Sequence, residues 1–173
     1  MMFSGALSPL TFKWHDLKMY VFSFLFIAGN ILLPQLCHQL PQGGQMLMPI
    51  YFFTLIASYK FGWKVGFITA LCSPVFNSVL FGMPPLAALP VILIKSTLLA
   101  LVAGWVAVHF KKISLPLLLL VILGYQIPGS LIEWAITKSL AAAIQDITIG
   151  IPGMFLQLIG GWFLLKKLAG YES

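Results

Sequence analysis

The stretch from Ala88 to Phe110 constrains this chain more than any other. Counted from Ala87 it reads AALPVILIKSTLLALVAGWVAVHF. A single helix needs about 20 apolar residues to cross a bilayer, and this run supplies them. One charge, Lys95, lies inside it. A lysine at the middle of a membrane helix costs roughly 2.5–3.5 kcal/mol on insertion scales, so such a residue faces a partner, a cavity or a ligand more often than lipid. The expectation is that Lys95 points into a small solute site walled by other membrane segments.

Composition agrees with a membrane protein. The 173 residues are 60% hydrophobic and 8% charged, with mean hydropathy +1.00. Soluble domains carry about 25% charged residues, so this chain cannot clothe a water-facing globule. All ten basic residues are lysines, and they flank apolar runs instead of forming a basic stripe. That placement excludes nucleic-acid binding despite a net charge of +6. Cys37 and Cys72 have neither CxxC spacing nor a histidine cluster, so no metal site is expected; they read as small apolar fillers, and their pairing stays open. The first 16 residues mix apolar residues with Ser4, Pro9, Lys13, His15 and Asp16, which does not match a cleavable signal peptide. Phe3 to Trp14 reads as a short amphipathic piece lying along the interface.

Hydropathy and punctuation predict six spans, at about 17–36, 46–59, 65–81, 88–110, 115–136 and 147–165. Asn30 and Pro34 interrupt the first, and Pro74 and Asn77 lie in the third. With the N-terminus inside, Lys13, Lys18, Lys60, Lys64, Lys111, Lys112, Lys166 and Lys167 all fall on the cytoplasmic side, as the positive-inside rule requires. Lys138 alone is then external. The expected fold is an all-α integral membrane protein, a six-transmembrane-helix bundle with both termini in the cytoplasm, forming one domain over residues 1–173. Ala100 and Gly104, Ala103 and Ala107, and Gly153, Gln157 and Gly161 repeat at spacing four, which lets helix backbones approach closely. Trp63, Trp134 and Trp162 near helix ends read as interface anchors.

No enzyme signature is present: no HExxH, no GxSxG, no Walker-type phosphate loop and no pair of catalytic carboxylates. The acidic inventory is Asp16, Glu133, Asp146 and Glu172, with Asp146 placed in a polar connector beside Lys138 and Gln145. Neither an enzyme nor a cofactor is expected. Depth carries more information. Lys95 lies about 10 Å below the outer start of its helix at 1.5 Å per residue. Tyr125 and Gln126 lie at similar depth in the fifth span, Gln157 slightly deeper in the sixth, and Asn77 and Asn30 in outer halves. These polar groups gather below the loop His38 to Gln45, suggesting a site open to the outside. Other readings of each residue stay open. Lys95 could pair with Glu133 or snorkel to the surface. Tyr125 and Gln126 could be interhelical hydrogen-bond glue, and Asn77 a packing contact beside Pro74. Glu133 could be a rim charge or touch the solute, and His38 reads as a solvated loop residue.

The layout resembles a substrate-specificity (S) component of energy-coupling factor vitamin transporters. The resemblance is carried by LLPQL (residues 32–36) and the loop ending in Gly43-Gly44. Further matches are KFGWKVGFITAL (60–71), LFGMPPLAALP (80–90) and GMFLQLIGGWFL (153–164). The first helix offers Ser23, Ala28 and Gly29 where many members carry Ala-x-x-x-Ala for docking. The resemblance implies a protein of the bacterial cytoplasmic membrane that binds a vitamin or related micronutrient from outside. It also implies docking on a membrane-embedded coupling protein with two cytoplasmic ATPases, and toppling in the membrane to release the solute. Carried to matching positions, it implies a binding site of Lys95, Tyr125, Gln126, Glu133 and Gln157, with Gln45 from the loop; Asn77 joins the candidate site by its depth alone. A stand-alone permease and a ligand-free assembly subunit are the competing expectations.

Overall fold

The computed structural model describes residues 4–37, 39 and 41–170. Phe3, His38 and Glu172, each placed by sequence above, lie outside the described residues. The chain is predominantly helical. In order come α1 (Leu17–Cys37), α2 (Gly43–Leu47), α3 (Pro49–Phe61), α4 (Trp63–Phe81), α5 (Leu89–Phe110), α6 (Leu115–Thr137) and α7 (Leu140–Ile149). A last helical run follows: α8 (Ile151–Phe155), a π-helical turn (Leu156–Gly160) and α9 (Gly161–Gly170).

Four helices, α1, α4, α5 and α6, are long and apolar enough to cross a membrane. A fifth crossing exists if α7 and the run Ile151–Gly170, bent by 49° at their junction, form one broken span. The expected second span, 46–59, is instead split at Met48, whose left-handed backbone (φ 44°) separates α2 from α3. The expected sixth, 147–165, is broken at Gly150 and runs on to Gly170.

The bundle is organised around its shortest long helix, a difference from the sequence reading, which centres on α5. With 13 residues, α3 is about 20 Å long at 1.5 Å per residue, against a hydrocarbon core of about 30 Å. Yet every residue from Thr54 to Lys60 is buried. The helix packs on α1, α4, α5 and α9. A helix hydrophobic all round belongs inside protein. The surrounding helices are two-faced in a way hydropathy cannot reveal. In α1, Met19, Ser23, Phe26, Ile27, Asn30, Pro34 and Cys37 are buried, while Leu17, Val21, Phe24, Leu25, Leu32 and Leu36 are exposed. Both faces suit an apolar surrounding, one of protein and one of lipid.

Small residues set the helix distances. Ala100, Ala103, Gly104 and Ala107 of α5 are all buried, and a Cβ on Gly104 would come within 2.5 Å of Trp63 Cβ. Ser58 of α3 donates its hydroxyl to the Ala100 carbonyl at 2.5 Å. The sharp turn between α3 and α4 rests on Gly62, whose φ of +91° and approach to the Leu10 carbonyl leave no room for a side chain.

The segment before α1 is laced across one end of the bundle. Ser4–Ala6 (β1) pairs antiparallel with Lys112–Ser114 (β2), an addition to the all-helical expectation. Leu10 N–H donates to the Lys60 carbonyl at 2.8 Å, Lys64 Nζ to the Phe12 carbonyl at 2.9 Å, and Tyr59 Oη to the Lys112 carbonyl at 2.7 Å. The start of α4 and the ends of α3 and α5 therefore meet, and α9 packs on both strands. The lysine-flanked helix ends thus share one end of the molecule. Cys37 and Cys72 are free thiols.

Candidate functional site

The polar groups of the membrane helices sort into two clusters. The first joins α1, α3 and α4. Asn30 Nδ2 donates to Thr54 Oγ1 at 3.0 Å and to Ser73 Oγ at 3.2 Å, while Asn30 Oδ1 accepts from Phe53 N–H at 3.3 Å. Asn77 Nδ2 donates to two carbonyls, those of Asn30 and Ser73, each at 2.9 Å. The bond to Asn30 has a specific cause. Pro34 lies inside α1 and has no N–H to give to the carbonyl four residues back. That carbonyl is Asn30's, and Asn77 reaches across from α4 to serve it. In membranes, such repair by a neighbouring helix is what makes an internal proline tolerable. Asn77 therefore belongs to this repair and does not join Lys95.

The second cluster lies at the end opposite the eight lysines grouped above, on the side where Lys138 caps α6, and joins α5, α6 and α7. Lys95 sits in the second turn of α5 and is 2% exposed. Its amine donates to Glu133 Oε2 at 2.6 Å and to Asp146 Oδ2 at 2.5 Å. Gln126, also 2% exposed, donates Nε2 to the same Asp146 oxygen at 3.1 Å. The amine is thus engaged by two carboxylates, one of them the Glu133 that the sequence left open as its partner. The two side chains differ in access, Glu133 being 13% and Asp146 36% exposed.

Local sequence explains the arrangement. Gln126, Gly129, Ser130 and Glu133 are spaced three and four apart, so they line one face of α6. Gly129 makes room for the lysine stem, since a Cβ there would lie 2.6 Å from Lys95 Cγ. Asp146 arrives on α7, which starts at an N-cap: Ser139 Oγ accepts from Ala142 N–H at 3.2 Å. Sequence reasoning left Asp146 in a connector and missed it. The signal was there in Ser139 followed by the helix-forming run LAAAIQD.

Tyr125 and Gln157 form a pair beside this cluster. Tyr125 Oη donates to Gln157 Oε1 at 3.0 Å, and the Tyr125 ring lies 5.5 Å from that of Tyr51. Gln157 sits in the π-helical turn, a distortion found frequently at functional sites. Gln45, on α2, is exposed, and its side chain makes no hydrogen bond among the described residues. Of the seven residues expected at the site, the structure brings together Lys95, Gln126 and Glu133. It sets Tyr125 and Gln157 alongside, ties Asn77 into the Asn30 cluster, and gives Gln45, on a helix that touches α7, no hydrogen bond to the group.

The described residues contain no group of three or more His, Cys, Asp and Glu side chains suited to a metal. Two grooves open elsewhere: one of about 440 Å³ lined by Leu10, Phe12, Leu17, Lys18, Val21 and Phe22, and one of about 180 Å³ between α6 and the last helical run. Compared with known proteins, the chain matches no family model, no curated protein and no solved structure.

Proposed function

We propose that this chain is a membrane-embedded binding protein for a small organic solute, acting as the specificity subunit of an uptake system. One observation carries the reading: a charged, hydrogen-bonded cluster held among apolar helices at the end away from the lysines. Intramembrane ionisable groups are expensive and mark function more often than packing. In this reading α3 and the bent α7–α9 run complete six spans. The lysine-rich end faces the cytoplasm of a bacterium, and the Lys95 cluster faces outward. The solute is a vitamin or related micronutrient. The resemblance to S components supplies the rest: a membrane-embedded coupling protein with two cytoplasmic ATPases drives delivery, and this chain performs no chemistry on the solute. Transport by this chain alone is the other possibility, and uptake into liposomes without partners would establish it.

A ligand-free assembly subunit is favoured by one observation, that the two grooves described lie away from Lys95. Native mass spectrometry of the purified protein separates the readings. A co-purified small molecule, lost in Lys95→Ala, is the expected result. Absence of any adduct, together with no thermal shift across a micronutrient panel, would leave the assembly role standing instead.

A further inference from the structure

We infer that the solute taken by the Lys95 cluster is a small organic cation carrying N–H donors. The inference rests on the binding reading above and narrows its ligand. A lone buried lysine points to an anionic substrate, but the geometry around this one reverses that expectation. Two carboxylates share a single ammonium, so the cluster carries one net negative charge when all three are ionised.

Its unused carboxylate and amide oxygens add acceptors to that charge. Glu133 and Asp146 each give one oxygen to Lys95, and the second oxygen of each makes no hydrogen bond among the described residues. Gln126 supplies an independent observation. Its Nε2 must be the end on Asp146, because a carboxylate accepts and cannot donate. That fixes Oε1 as an acceptor, and it is buried with no partner. Being on the same carbon as the amide nitrogen, this orphan oxygen lies against the cluster. A buried acceptor left unmade is unfavourable, and a donor on the ligand would complete it. One turn further along the same face of α6, Ser130 Oγ is also buried and unpartnered.

An anion brought here would meet two carboxylates before it met an unoccupied ammonium proton. A bare metal ion would have to displace the lysine from both acids, and no third acidic, histidine or cysteine ligand is present among the described residues. An organic cation needs neither. It can lie over the oxygens Lys95 leaves unused.

The test uses the full chain in nanodiscs and four probes at neutral pH: thiamine and putrescine as cations with N–H donors, riboflavin as a neutral solute and biotin as an anion. Native mass spectrometry of the unwashed protein is run alongside. Binding of a cation, or co-purification of one, is expected, with affinity falling at least 30-fold in Asp146→Asn and in Glu133→Gln. Ligand-free melting curves check that each variant folds. If the acid variants do not fold, Gln126→Leu removes the orphan acceptor without altering charge, and a tenfold loss of cation affinity is expected. Saturable binding of biotin or riboflavin that depends on Lys95 would overturn the cation assignment and leave the binding function in place. No bound molecule of any kind would overturn both. Cation binding unaffected by Asp146→Asn, Glu133→Gln and Gln126→Leu would also overturn the assignment, by placing the ligand elsewhere.

Discussion

The two buried polar clusters of this bundle are built from similar parts and differ in closure. Around Asn30 the groups are uncharged and nearly all are used: amides, hydroxyls and carbonyls bridge three helices, and one atom, Asn77 Oδ1, is left over. Around Lys95 the groups are charged, three helices again contribute, and acceptors outnumber donors. The first arrangement closes on itself almost completely, and the second leaves acceptors unused. Burial alone does not separate them, since Asn30, Asn77, Lys95 and Gln126 are all at most 2% exposed. The sign and number of unused hydrogen bonds do.

The comparison is most easily broken at Lys95. Removing one partner of a buried ion pair costs about 3–5 kcal/mol, because charge is left uncompensated. Lys95→Ala is expected to destabilise by that order, measured by the unfolding midpoint in mixed micelles, and to abolish solute binding. A milder perturbation is Gly129→Ala, whose methyl would press on the Lys95 stem. Overpacking of this kind costs about 1–3 kcal/mol, and solute affinity should fall with it as the amine is pushed off its carboxylates. The smallest effect is expected in the other cluster. Asn77→Ala should cost about 1 kcal/mol, the usual size of an interhelical hydrogen bond in a membrane, with solute affinity within twofold of the parent. A double-mutant cycle sharpens this: in a Pro34→Ala background α1 regains its own N–H for the Asn30 carbonyl, so Asn77→Ala should cost less there. An undiminished cost would show that Asn77 acts on something other than the proline gap.

Much of this was legible in the chain itself, and what was not has physical causes. Four helices of membrane-spanning length are readable because a long unbroken apolar run satisfies its own backbone by coiling into a helix. Lysine placement predicted which helix ends would share a face of the bundle, and those ends are together. The centrality of α3 was hidden because lipid and protein interior select the same side chains, so hydropathy could not say which helix is enclosed. The Lys95–Glu133 pairing stood among the open readings of the sequence. Asp146 did not, because a ten-residue helix is too short to read as a span and its polar residues read as a connector. Only the fold-back of α7 onto α6 brings it to the amine. Asn77 misled for a related reason: depth placed it level with the other polar residues, and its true partner, a carbonyl freed by a proline on another helix, leaves no mark in local sequence.

The strand before α1 bears on how a solute could ever leave. Ser4–Ala6 and the chain following it are bonded to the far ends of α3, α4 and α5, like a drawstring through the hem of a bag. Parting the helices there would mean undoing backbone bonds at several points together. Any opening at that end would therefore have to break the β1–β2 pair and the Leu10–Lys60 bond together.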